Sequence, residues 1–355
     1  MSKLTVDGFN GLTIFSANGA KIKHVGITFK RSSNVVIRNL EFDELWEWDE
    51  ASKGDYDKND WDYLTVEDSS KVWIDHCTFN KAYDGLVDLK KGTNGVTISW
   101  STFRGDDGSS NSWVSQQINA LEANKSSYSM YKYLRDTLGL SKEDIVAVAA
   151  SQKKGHLVGA TELASDNPDL QLTMHHNYYK DIQDRMPRLR GGNVHAYNIV
   201  MDNADAYAAK QIITSAMESS LSSKGYKFGV TSNGAISTEN GAVLLENSEI
   251  IDVLYPIRNN QKNAALSNYT GKILALDTIY SMNGTTFRGS SDTSGSPLAP
   301  VPAAVIPFSW NGFTTLPYTY TPDDPTTIKG RLMASDGSGA GKLNWSKQNW
   351  LLTDY

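Results

Sequence analysis

A single cysteine, Cys77, in a chain of 355 residues leaves no partner for an intrachain disulfide and no set of thiolates for a zinc centre. The fold must hold by core burial alone. With 39% hydrophobic positions over this length that is feasible, and one domain spanning 1–355 is the simplest organisation. No run of about 18 apolar residues occurs, which excludes an ordinary membrane-spanning helix. A surplus of basic charge is missing too. The formal net charge is -6, whereas a general nucleic-acid binder needs a basic face to displace counterions. An acidic partner therefore requires a local cluster of Lys and Arg. Met1-Ser2-Lys3 does not open a signal peptide.

Helical periodicity is scarce as well, and what fills its place is repetition. Short β-branched runs followed by polar turns recur at 34–40, 71–76, 95–100, 170–176 and 192–198, and continue at 243–245 and 273–276. Ile74 and Ile98 are 24 residues apart, close to one turn of a solenoid. Strands this short suggest coils stacked along one axis, each pairing in parallel with the next. An antiparallel β-sandwich is the alternative, because periodicity does not fix strand direction.

Residues 104–153 interrupt the series. Tyr128, Tyr131, Leu134 and Leu138 form a stripe at helical spacing, Gly139 fits a helix stop, and Ser141 to Asp144 resembles a capping box before Ile145. This stretch reads as a helical insertion, either a wall of a cleft or a pad over a sheet. From about 285 the chain is rich in Ser, Thr, Gly and Pro and poor in strand signal. Trp310, Phe313, Trp345 and Trp350 are too apolar for a free tail, so this segment is expected to pack back along the coils.

The chemistry begins with Asp60-Trp61-Asp62 and Asp84-Gly85-Leu86-Val87-Asp88. On a strand Asp60 and Asp62 share a face. Asp84 and Asp88 would stand about 13 Å apart on an ideal strand, and Gly85 can bend the chain to bring them closer. With coils about 4.8 Å apart, Asp62 can stand beside Asp84 and Asp88 in a carboxylate nest. Such a nest suits a hard cation, calcium before zinc, since it offers oxygen without sulfur or imidazole; a solvated acidic face is the plainer reading. Arg185, Arg188 and Arg190 fall within six residues around Pro187, preceded by Lys153-Lys154. Guanidinium groups so placed can anchor carboxylates through paired hydrogen bonds, or form surface salt bridges. His175 and His176 are adjacent, so on a strand they face opposite ways and serve packing; Cys77 reads as a small buried side chain. Asn39, Asn177 and Asn198 follow strand runs and suit turn hydrogen bonds between coils.

Val72-Trp73-Ile74-Asp75-His76-Cys77-Thr78-Phe79, Asp84 to Lys90, His175 to Tyr179, Arg185 to Arg190 and Val194 to Asn198 together resemble the pectate lyases of the first polysaccharide-lyase family. The resemblance spans roughly 33–342, where Tyr318-Thr319-Tyr320 and Gly339 to Lys342 also look like the family's C-terminal segment. It implies an all-β, right-handed, single-stranded parallel β-helix with a helical insertion around 110–150 and a loop-rich C-terminal segment on the coils. It also implies a secreted, monomeric enzyme that cleaves polygalacturonate by β-elimination, with Ca2+ as cofactor and no nucleic-acid or membrane partner. Carried over by position, Asp62, Asp84 and Asp88 match the principal calcium ligands, and Asp60 matches an acid that helps hold a further calcium with substrate. Arg185 matches the catalytic base, and Arg190 and Lys154, with Arg188 beside them, match the substrate-carboxylate anchors. Neighbouring cations would disfavour the protonated guanidinium of Arg185, so activity is expected to favour alkaline conditions. Two departures stand out: the chain starts later than the family's members, so an N-terminal capping coil is expected to be missing or rebuilt, and the insertion reshapes the groove. Two other functions are carried: a calcium-independent pectin lyase acting on methylated polymer, and a non-catalytic polysaccharide-binding β-helix.

Overall fold

The β-branched runs lie side by side in the computed structural model, which describes residues 1–260, 267–302 and 306–343. Strands Ser33–Asp43, Ser70–Asp75, Asn94–Ser99, Gln171–His175, Asn193–Tyr197, Ala242–Glu246 and Lys272–Leu276 pair in sequence order, every pair parallel. The register stacks like on like. Val35, Val72, Val96, Leu172, Val194, Val243 and Ile273 form one buried column, and Ile37, Ile74, Ile98, Met174, Ala196, Leu245 and Ala275 form the next. Branched side chains suit this pleated, fully packed setting. The architecture is a parallel β-helix.

Each coil turns a corner on one residue in the left-handed region: Asn39 (φ 57°), His76 (46°), Trp100 (45°), His176 (53°), Asn198 (51°), Asn247 (45°) and Asp277 (39°). Asn and Asp tolerate that backbone better than other side chains. Asn39 and Asn198 bond as expected from the turns: Asn39 Nδ2 donates to Ser16 O at 2.7 Å and Asn198 Nδ2 to Asn247 O at 2.9 Å. Asn177 does so between coils, donating to Ile98 O and accepting from Ser101 N–H. Beyond the corners a second strip of parallel strands runs from Thr78–Phe79 to Thr278–Met282. Its interior is an aromatic ladder, Phe42, Phe79, Phe103 and Tyr179, with successive ring centroids 4.9, 5.0 and 4.9 Å apart.

The corner geometry corrects one reading. His176 leaves the strand at its left-handed φ, so it and His175 do not face opposite ways; their Nδ1 atoms lie 3.0 Å apart. Both still serve packing, His176 stacked on Trp100 and His175 on Tyr197. Cys77 is fully buried and its thiol is pushed up to about 12 by burial, so it is no nucleophile.

A third, eight-stranded parallel sheet closes the coil and includes Leu64–Glu67, Val87–Lys90, Leu157–Val158 and Arg188–Arg190 in order. Beside it sits a second hydrophobic core made by helices. Ser141 and Asp144 form the expected reciprocal cap, at 2.9 Å each way, for helix Lys142–Ala150. Trp113–Ala123, which buries Val114, Ile118 and Leu121, is a further helix of the expected insertion, whereas the pair Ala204–Lys210 and Ser215–Ser223 was not foreseen. This core also takes in Trp46, Tyr56 and Tyr83 from the loops that lead to the acidic residues, so the insertion buttresses those loops.

Residues 2–23 form a coil below the first expected run, with Ser2–Asp7 paired to Val25–Lys30 and Asn10–Lys23 to Ser33–Asp43. The C-terminal segment packs along the coils as expected. Tyr318 Oη meets His195, Asp323 N–H donates to Asn198, an unforeseen helix Pro325–Met333 follows, and Gly341 N–H donates to Asn39. Trp345 and Trp350 lie outside the described residues. Among the described residues no helix is long and apolar enough to cross a membrane.

Candidate active site

Alternation on the short strands of the third sheet sets the site. Val87 and Leu89 point into the core, so Asp88 and Lys90 share the other face. Asp62 lies two residues before the strand Leu64–Glu67, rather than on a strand as the Asp60-Asp62 spacing suggested, and the strand register brings it level with Gly85 on the next coil. Gly85 N–H donates to Asp62 Oδ1 at 2.7 Å, and Thr65 Oγ1 donates to Asp62 Oδ2 at 3.2 Å. Asp88 Oδ1 accepts from Leu157 N–H at 3.0 Å. A Cβ on Gly85 would sit 2.6 Å from Asp88 Oδ1 and 2.8 Å from Asp62 Oδ1. Both carboxylates therefore converge on a space that only glycine leaves open.

Carboxylate oxygens of Asp60, Asp62 and Asp84 all lie within 4.8 Å of one another. Asp60, expected as an auxiliary acid, thus joins this group, while Asp88 flanks Asp62 across Gly85. Burial, reinforced by the charges of Asp88 and Asp84, pushes the Asp62 carboxyl well above the usual carboxylate range. Burial likewise raises Asp88 to about 6, against the pull of Lys90 and Arg185. Acids that repel one another around a glycine-lined gap, with oxygen as the only donor atom, fit a hard divalent cation.

Lys154 Nζ is bound to Asp84 Oδ1, so this expected anchor lies directly on the acidic group. Arg185 stands on the coil beyond. Its backbone is left-handed (φ 67°), fixed by Arg185 N–H to Asp184 Oδ1 at 2.9 Å and His156 N–H to Arg185 O at 2.7 Å. Its charge acts on Asp88 as well as on Arg188 and Arg190, and it shares a cavity of about 380 Å3 with Lys153 and Lys154. Arg188 is buried and lowered to about 10, first by burial and then by Arg190 and Arg185. The Nε atoms of all three arginines are buried without a hydrogen-bond partner. Arg190 is otherwise held: its Nη1 donates to Gly159 O at 2.6 Å and Ala160 O at 2.7 Å, with Glu162 and Glu239 nearby.

Sequence reasoning passed over Lys90. Its Nζ lies 3.5 Å from Asp62 and 3.7 Å from Asp60, and its position two residues after Asp88 on one strand was the available signal. Glu162 and Glu239, which neighbour Arg190, were passed over as well; no motif marks them.

Fold and site together define a β-helix that presents an acid cluster and an arginine cluster on one sheet, separated by the coil that carries Lys154. A family model described as pectate lyase matches residues 2–119 and 141–343; the internal gap, 120–140, falls within the helical insertion. Over 257 residues the chain is 76% identical to pectate lyase B of Paenibacillus amylolyticus, covering 72% of this chain and 66% of that protein. It is 32% identical over 191 residues to the pectate trisaccharide-lyase of Thermotoga maritima, covering 52% of this chain and 38% of that one. The chain therefore spans less than two thirds of the length of either relative. A solved pectate lyase from Paenibacillus sp. 0602 superposes with a TM-score of 0.98 at 72% identity, covering 99% of this chain and 80% of that one. The chain belongs to the pectate lyase family.

Proposed function

We propose that the chain is a calcium-dependent pectate lyase that cleaves α-1,4-linked polygalacturonate by β-elimination, giving 4,5-unsaturated oligogalacturonides. One observation carries the reading: Arg185 acts electrostatically on Asp88, the carboxylate that converges with Asp62 on Gly85, and shares a cavity with Lys154. Asp62, Asp84 and Asp88, with Asp60, would hold Ca2+. Bound there, the cation supplies positive charge at the uronate carboxylate and so acidifies the neighbouring C5 proton. Lys154 and Arg190, with Arg188 beside them, would anchor carboxylates of the chain. Arg185 would take the proton from C5, and the C4 oxygen would leave with its electron pair as the 4,5 double bond forms. No water is consumed. Every residue in this scheme comes from one chain, so a monomer suffices, and a polymeric wall substrate calls for a secreted enzyme.

The test is incubation with polygalacturonate, with and without a chelator, while following the ultraviolet absorbance of unsaturated uronate. Growth abolished by chelation is expected. A flat trace in excess calcium rejects the reading, and growth that survives chelation replaces it with a calcium-independent lyase.

A further inference from the structure

Gln152 is fully buried on the coil that separates Asp84 from Arg185. Its Oε1 accepts from Ala82 N–H at 2.9 Å, and its Nε2 donates to Asp84 O at 2.6 Å and to Lys154 O at 2.9 Å. Both amide hydrogens and the amide oxygen are thus committed, each to a backbone group that the sheet does not pair. Its own backbone is locked as well, Gln152 N–H to Asp181 O at 2.9 Å and Gln183 N–H to Gln152 O at 2.8 Å. Two donors and an acceptor at this length are a combination only glutamine supplies. A glutamate here would set a carboxylate oxygen against two carbonyl oxygens, and a methionine would leave three buried backbone groups unpaired.

The two carbonyls it joins belong to the residues whose side chains meet, Asp84 and Lys154. Three residues on, Gly155 N–H donates to Asp184 O at 2.9 Å and His156 N–H to Arg185 O at 2.7 Å. The segment 152–156 is therefore tied on one side to the acid cluster and on the other to the backbone of Arg185. We propose that Gln152 is a positioning residue that fixes the separation between the acid cluster and the Lys154–Arg185 cavity. Gln152 would act through the backbone groups of Ala82, Asp84 and Lys154 that its side chain bonds. Its effect on turnover rests on the functional reading above; its effect on cation affinity does not require that cleavage occur.

The experiment compares Gln152→Glu and Gln152→Met with the parent and with Ile98→Ala, a cavity variant in the far strip that lowers stability without touching the site. Calcium affinity is read by titration calorimetry below the unfolding temperature, and kcat and KM are read on polygalacturonate. Both Gln152 variants should bind calcium about tenfold more weakly and lose at least about tenfold in kcat, with a smaller change in KM, while Ile98→Ala keeps all three near the parent. Calcium affinity and kcat within about twofold of the parent in a folded Gln152→Glu protein overturn the proposal. So does an equal loss in Ile98→Ala, which would assign the effect to stability alone. Should neither Gln152 variant fold, hydrogen exchange in the parent decides: the Gln152 side-chain amide should exchange far more slowly than exposed glutamine amides, and equal rates contradict the proposal. A parent that cleaves no polygalacturonate defeats the functional reading, and calorimetry and exchange then judge Gln152 alone.

Discussion

The backbone N–H of Gly85 donates to Asp62 Oδ1 at 2.7 Å, across one coil boundary. That bond orients a carboxylate which would otherwise swing away from its like-charged neighbours, and it does so from the one residue that leaves room between Asp62 and Asp88. Gly85→Ala keeps that N–H but sets a methyl group 2.6 Å from Asp88 Oδ1 and 2.8 Å from Asp62 Oδ1, so by displacing both carboxylates it should weaken calcium binding by about 10- to 100-fold, the scale on which misoriented ligands lose a metal. Titration calorimetry measures it; an unchanged affinity would mean the cation sits elsewhere.

Arg185→Lys keeps a positive charge but moves it and removes the planar fork. Turnover should fall by about 10²- to 10⁴-fold, the range of a lost general base. Polymer binding should stay within a few-fold of the parent, because Lys154 and Arg188 remain. Affinity electrophoresis in polygalacturonate gels, set beside the absorbance assay, separates the two effects; undiminished turnover takes Arg185 out of its assigned role.

Two buried imidazoles give the pH dependence of stability. His156, with Nδ1 donating to Val87 O and Nε2 accepting from Tyr179, is lowered to about 4 by burial. His175 is lowered to about 3, by burial and then by His176. The unfolded chain binds a proton on each at its ordinary value near 6.5, which the folded protein refuses until far lower pH. Their contribution is whole above about pH 6.5 and is lost as pH falls toward 4. Calorimetric scans should show the unfolding temperature dropping over that window, and His156→Gln should flatten the slope; a slope unchanged in that variant would contradict the assignment.

Much of this fold was legible because the strands of the long strip bury β-branched residues at matching positions and repeat like residues at a coil's spacing, as Ile74 and Ile98 do. The third sheet was not read as strands, because pieces such as Leu157–Val158 are too short to show a period of two. The helices Ala204–Lys210 and Ser215–Ser223 were missed since Ala and Ser carry little amphipathic contrast. For the site, residue types and spacing supplied the acids and arginines, but their meeting depends on which coil lies beside which. Coil spacing suggested Asp62 beside Asp84 and Asp88 and the family resemblance gave Asp60 and Lys154 their expected roles, but the meeting of either with Asp84 is visible only in three dimensions. Gln152 carries no motif at all; its role rests on three bonds visible only in three dimensions.

The aromatic ladder should carry much of the stability near the site. Phe103 is fully buried, between Phe79 and Tyr179, and its ring meets His156 edge-on at 4.5 Å. Phe103→Ala should cost about 3–5 kcal/mol. Denaturant unfolding measures this, and a loss below about 1 kcal/mol would show that the coils close up around the gap.

The convergence of cation and base on one sugar is decided by a crystal structure of the Arg185→Lys protein with calcium and a galacturonate oligomer. A cation is expected among Asp62, Asp84 and Asp88, in contact with a uronate carboxylate, with the amine of the substituted side chain about 3–3.5 Å from C5 of that same sugar. A cation on other residues, or a sugar lying on a different face from that side chain, would contradict the proposed chemistry.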